Sequence, residues 1–186
     1  MRKKLQLWKK LVIIPLILLL LLLATKPIGR LLYPMKYSDS VMTMSEECGF
    51  SPSFIYAVIH TESKFDANAL SSAGAKGLMQ ITDSTYQWAC KRAGDEPSTT
   101  DELYDPATNI RIGCYVLALL YEQFPETETV LAAYNAGQGR VHEWLQDPAH
   151  SNDGRTLYNI PYEETANYVH RVINTQKIYQ TLYNIP

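Results

Sequence analysis

The chain has 186 residues and a formal net charge of −2, enough for one compact domain with some length left over, and too short for two full ones. The charge is uneven: the first thirty residues hold seven Lys/Arg and no acid, leaving ten basic against nineteen acidic residues beyond them, a balance of −9. That acidic remainder has no basic footprint for DNA or RNA, so nucleic acid is excluded as the main partner.

The amino terminus carries Arg2, Lys3, Lys4, Lys9 and Lys10 ahead of an apolar run from Leu11 to Ala24 broken only by Pro15. Residues 1–25 therefore read as a membrane anchor or a signal peptide. Leu23-Ala24-Thr25-Lys26-Pro27 offers no clear small-x-small cleavage site, which favours a retained single-pass anchor. The basic excess before the run puts the amino terminus in the cytoplasm and everything after it outside the membrane. Secretion after cleavage is the alternative. Pro27, Gly29 and Pro34 mark residues 26–37 as a linker, leaving 38–186 as the domain.

That domain reads as mainly α. Ser51-Pro52 pairs an N-cap hydroxyl with proline at the first helical position, and Phe54 to Glu62 follows without a breaker. Asp105-Pro106 repeats the device ahead of Ile110 to Phe124. Further helices are expected over about Thr127 to Asn135, stopping near Gly137, and through Val141 and Leu145. Pro161, Glu163 and Glu164 open the last, with Tyr168, Val169, Val172, Ile173, Ile178 and Leu182 as its apolar stripe. Between Phe65 and Gln80 the small residues Ala67, Ser71, Ser72, Gly74 and Gly77 predict a loop or small hairpin.

Glu62 is the residue that stands out. Helical spacing sets it beside Ile55, Val58 and Ile59, where a carboxyl group is poorly accommodated. Partial burial there disfavours the ionised form, which is what a general acid needs to hold a proton near neutral pH; the competing reading is a helix end in water. His142 and His170 stand alone on helices, and Cys48, Cys90 and Cys114 show no ligand spacing, so neither metal nor cofactor is expected. The three cysteines read as small buried residues, with a Cys90–Cys114 disulfide as the alternative.

Four blocks then occur in order. They are Glu62-Ser63-x-Phe65 with Ala69-x-Ser71; Gly74-Ala75-x-Gly77-Leu78-Met79-Gln80; Ala133-Tyr134-Asn135-Ala136-Gly137; and Ile160-Pro161-x-x-Glu164-Thr165-x-x-Tyr168-Val169. Together they resemble the soluble lytic transglycosylase family, related to goose-type lysozymes, over about residues 40 to 182. The resemblance implies a lysozyme-like fold and cleavage of the β-1,4 bond between N-acetylmuramic acid and N-acetylglucosamine in peptidoglycan. Glu62 falls on the family's catalytic acid, and the product would be a 1,6-anhydro sugar formed without water. By the same likeness Ser63, Ser71, Gly77, Met79, Gln80, Tyr134, Asn135, Glu164 and Tyr168 are expected at the substrate, in a monomer acting on glycan strands. Two alternatives stay open: a lysozyme-type hydrolase with Asp66 as the nearby water-activating base, and a non-catalytic wall-binding module.

Overall fold

The computed structural model describes residues 14–16, 25–96 and 99–186. The chain divides into two units, Met1–Met35 and Lys36–Pro186. In the first, residues 25–32 form a helix, α1, where a linker was expected. Pro27 lies within that helical stretch. Ile28, Leu31 and Leu32 on it are exposed. The apolar run from Leu11 to Ala24 lies almost entirely outside the described residues. Among those described, no helix is long and apolar enough to cross a membrane.

The second unit contains α2 (Ser38–Cys48), α3 (Pro52–Ser63), α4 (Asp83–Ala93), a 3-10 helix (Thr100–Tyr104), α5 (Pro106–Tyr121), α6 (Thr127–Ala136), α7 (Gln138–Leu145) and α8 (Glu163–Tyr183). Two of the expected starts are capped as read: Ser51 Oγ accepts from the Phe54 N–H at 3.3 Å and Asp105 Oδ2 from the Thr108 N–H at 2.8 Å. Helices α2 and α4 were not singled out in the sequence. The signals for α4 were there, in Thr82, whose hydroxyl accepts from Thr85 N–H, and in Gly94, left-handed at φ 79° behind Lys91 and Arg92.

The core helix is α3, whose residues Pro52 to Ile59 are all buried. It packs on α8, α2 packs on α5, and α6 joins α5 to α7 and α8. The buried face of α8 runs Thr165, Tyr168, Val169, Val172, Thr175 and Tyr179, not through Ile178 and Leu182 as the apolar pattern suggested. Tyr168, Val172, Thr175 and Tyr179 recur at three- and four-residue steps, and Tyr179 stacks on Tyr56 of α3 with ring centroids 5.3 Å apart. Helix geometry, not apolarity, decides which residues face the core. Cys48, Cys90 and Cys114 are free thiols, so the Cys90–Cys114 disulfide does not form.

The stretch from Phe65 to Ile81 folds back on itself through two isolated antiparallel bridges, Leu70 to Lys76 and Lys76 to Ile81. No strand longer than a bridge occurs among the described residues, because left-handed turns at Gly74, Gly77 and Gln80 interrupt any ladder.

Candidate active site

Glu62 occupies the last turn of α3, which ends at a pair of left-handed residues, Lys64 (φ 52°) and Phe65 (φ 66°). Two adjacent non-glycine residues in that region cost on the order of 1–3 kcal/mol each and persist only where packing fixes them. Here Phe65 is buried against Tyr56 and edge-on to His60. The strained exit turns the chain sharply after Glu62, so that the following loop comes back over its carboxyl group.

That loop is held at its backbone. Asn109, fully buried on α5, accepts from the Met79 N–H at 2.7 Å and donates to Lys76 O at 3.0 Å and Leu103 O at 2.7 Å. Ser63 Oγ donates to Leu78 O at 2.8 Å, and Tyr134 Oη donates to Met79 O at 2.8 Å. Lys76 Nζ reaches Asp83 at 2.9 Å and Thr100 at 2.8 Å, tying the loop to α4 and the 3-10 helix. The sequence reading missed Asn109, although it is a polar residue on the same stripe of α5 as Ile112, Gly113 and Val116. The test that drew attention to Glu62, a polar group on an apolar face, would have found it.

The loop, α3, α4, α5, α6 and the start of α8 line a cleft of about 320 Å³ that contains Glu62, Ser71, Gln80, Tyr134, Asn135 and Glu164. Four of the ten expected site residues do not line it. Ser63 spends its hydroxyl on the loop backbone. Gly77 is buried at φ 72°, where a side chain would run into Leu103 O and the Asn109 amide, so its role is packing rather than room for a sugar. Met79 is completely buried against Gly113. Tyr168 is buried behind Glu62.

The residues that do line the cleft are partly committed. Gln80 uses its amide nitrogen on Gly77 O at 2.9 Å and Ala69 O at 3.3 Å, leaving its carbonyl oxygen as the group to offer a ligand. Ser71 Oγ accepts from the Ala75 N–H at 3.0 Å, which leaves its proton to donate. Asn135 accepts from Thr165 Oγ1 at 2.8 Å, so its amide N–H groups are the free ones. Asp66 does not line the cleft; its Oδ1 accepts from the Asn68 N–H at 2.9 Å in a local turn. Glu164 is the second carboxylate of the cleft.

Burial pushes the Glu62 carboxyl up to about 7. The Tyr168 hydroxyl and the Arg171 guanidinium pull the other way and do not overcome it. Tyr168 Oη is itself buried without a hydrogen bond of standard geometry, close enough to Glu62 that each shifts the other. Burial raises both the Tyr134 and Tyr168 phenols far above their ordinary value, and the Glu62 charge adds to it, so both stay protonated, Tyr134 with its proton on Met79 O and Tyr168 beside the carboxyl group. A proton held near neutral pH in a cleft, beside the neutral Tyr168 phenol, is the arrangement of a general acid.

The Transglycosylase SLT domain family matches residues 40–156. The soluble lytic murein transglycosylase of Escherichia coli K12 is 34% identical over 151 residues, covering 80% of this chain and 23% of that protein. The membrane-bound lytic murein transglycosylase C of Haemophilus influenzae is 36% identical over 117 residues, 57% of this chain and 32% of that one. Among solved structures, an inactive glutamate-to-glutamine mutant of the lytic transglycosylase Slt from Pseudomonas aeruginosa superposes with a TM-score of 0.71 at 32% identity, covering 83% of this chain and 25% of that one. The 70 kDa soluble lytic transglycosylase of E. coli gives the same TM-score at 31% identity, over 81% of this chain and 25% of its own. This chain thus spans about a quarter of the length of the soluble relatives it matches.

Proposed function

Because the chain belongs to the transglycosylase SLT domain family, we propose that it cuts peptidoglycan glycan strands between N-acetylmuramic acid and N-acetylglucosamine, with Glu62 as acid and then base. The observation that carries this reading is the Glu62 carboxyl, raised to about 7 by burial in a cleft that also presents Ser71, Gln80 and Asn135. Protonated Glu62 gives its proton to the glycosidic oxygen as the C1–O bond of muramic acid breaks, and the other sugar leaves with a free 4-hydroxyl. The carboxylate then takes the proton of the muramic 6-hydroxyl, whose oxygen closes on C1. Glu62 ends protonated, no water is consumed, and the product is a 1,6-anhydro sugar. Gln80, Ser71 and Asn135 orient the sugars through the groups left free above, Tyr134 holds the loop at Met79 O, and Tyr168 keeps the carboxyl in place. The test is release of soluble fragments from purified sacculi by the full chain, against the same preparation of Glu62→Gln.

Hydrolysis is the competing reading, and Glu164 is the observation in its favour. It shares the cleft with Glu62, where a water-activating carboxylate would be needed. Asp66, held in its own turn outside the cleft, is a poor candidate for that base. A strong effect of Glu164→Gln on proton transfer itself, seen as a changed pH profile, would support hydrolysis; a milder loss with an unchanged profile fits an orienting role.

We further read residues 1–25 as a single-pass anchor that holds a monomeric catalytic domain outside the membrane, facing the wall. Support comes from the five basic residues ahead of the apolar run and from the lack of a clear small-x-small cleavage site after it. The full-length protein is expected to stay in the membrane fraction through high-salt washing with its amino terminus intact. A mature protein beginning near residue 25 would contradict this.

A further inference from the structure

A cavity of about 650 Å³, twice the volume of the catalytic cleft, lies between α2, α4, the 3-10 helix and α5, and it shares no lining residue with that cleft. Part of its wall is apolar. Met44, Ala89, Cys90 and Ile112, all buried, line it beside the rings of Tyr86 and Tyr115. Unpaired charge of both signs stands around that apolar surface: Glu47 of α2, Asp95 and Glu96 beyond α4, and Arg111 of α5 line the cavity, and none of the four is in an ion pair among the described residues. Glu102 is a further acid of the wall, accepting from Tyr86 Oη at 3.4 Å. Cys90, 6% exposed, adds a free thiol whose sulfur is in no hydrogen bond among the described residues. We propose that this cavity binds an ω-amino carboxylate, a ligand with an ammonium group and a carboxylate at the two ends of a short apolar chain.

Size, charge and surface decide the occupant. The volume lies within the ~300–1,000 Å³ range of small-ligand pockets. The excess of acids draws an ammonium group, and the planar Arg111 guanidinium matches a carboxylate through two parallel hydrogen bonds. Methylenes between the two ends would cover Met44, Ala89 and Ile112 and take apolar surface out of water. A bare metal ion would leave that surface uncovered, and a neutral sugar would leave the charges unpaired. Two sources share the chemistry proposed, a free basic amino acid and the terminal dibasic residue of a peptidoglycan stem.

Ala93 supplies the blocking variant. It lines the cavity from the exposed last position of α4, so Ala93→Leu puts bulk into the space without entering the core. Leucine is also close to alanine in helix propensity.

The full chain in detergent would be titrated with 5-aminopentanoate, pentylamine and pentanoate, and binding followed by saturation-transfer NMR with irradiation of the protein's aromatic protons. 5-Aminopentanoate should bind about fivefold more tightly than either singly charged compound. Arg111→Gln should reduce it to the affinity of pentylamine, and Asp95→Asn combined with Glu96→Gln should bring it toward that of pentanoate. Ala93→Leu should abolish transfer to all three while cleaving sacculi as the wild type does, which shows that the loss is local. No transfer in the wild type, equal affinity for the three compounds, or affinities untouched by these changes would overturn the proposal. The tripeptide L-alanyl-γ-D-glutamyl-L-lysine, compared with free lysine, separates the two sources. Binding of the tripeptide about tenfold more tightly assigns the site to wall stems, and equal binding assigns it to free amino acids.

Discussion

Glu62→Gln is expected to leave the fold intact and remove nearly all cleavage, a loss of ~10²–10⁴-fold or more, because an amide cannot deliver the proton that the leaving oxygen needs. Oligosaccharide binding should survive, since the amide is close in shape to the carboxyl. The wild-type enzyme should lose activity as pH rises through about 7, where Glu62 gives up the proton it must donate. The same substitution has a stability signature. Folding raises the Glu62 pKa from an ordinary 4.5 to about 7, so the native state binds this proton more tightly than the unfolded chain does. Below pH 4.5 both states are protonated and no penalty exists. The penalty on the folded state grows between 4.5 and 7 and is fully present above, at roughly 3 kcal/mol as an upper figure. Glu62→Gln should therefore match the wild type in thermal stability at pH 4 and exceed it at pH 8. Melting curves at the two pH values check this. A variant no more stable than wild type at pH 8 would mean that the carboxyl is well solvated.

Asn109→Ala should be among the most destabilising single substitutions in the domain. It strips partners from three backbone groups at once, the Met79 N–H, Lys76 O and Leu103 O. Each buried group left unsatisfied costs ~1–3 kcal/mol, so the total should reach roughly 3–5 kcal/mol, a fall in melting temperature on the order of 10 °C. Activity should fall with it, since the loop carrying Ser71 and Gln80 loses its main anchor. Asn109→Asp keeps the acceptor for Met79 but sets a carboxylate oxygen against two carbonyls, and it should fare no better. A change below about 1 kcal/mol in chemical denaturation of Asn109→Ala would show that the loop is held elsewhere.

The contrast between Glu62 and Asn109 marks how far the sequence could be read. Local signals were legible: the Ser51-Pro52 and Asp105-Pro106 starts, the stop at Gly137, and the acid on an apolar stripe all stand where the residues put them. Six of the expected residues meet in the cleft because the motif blocks carry their spacing with them. What the chain order does not reveal is which polar atoms are spent on the fold. Gly77 and Met79 belong to the same block as Gln80, and Ser63 to the same block as Glu62, yet they serve the loop's backbone and packing rather than the cleft. The division follows from contacts across 15 residues for Ser63 to Leu78 and 30 for Asn109 to Met79, and no local pattern encodes contacts at that range. Pro27 shows the opposite limit, since a proline read as part of a linker lies within a helical stretch.

The proposed chemistry is tested most directly by the product. If Glu62 returns as base to the muramic 6-hydroxyl, the fragments released from purified sacculi must end in 1,6-anhydro sugars. Their masses, measured before and after borohydride, should not change, and each should be lighter by one water than a hydrolytic fragment. Reducible ends as the dominant species would contradict the transglycosylase reading and transfer the second step to a water activated by Glu164.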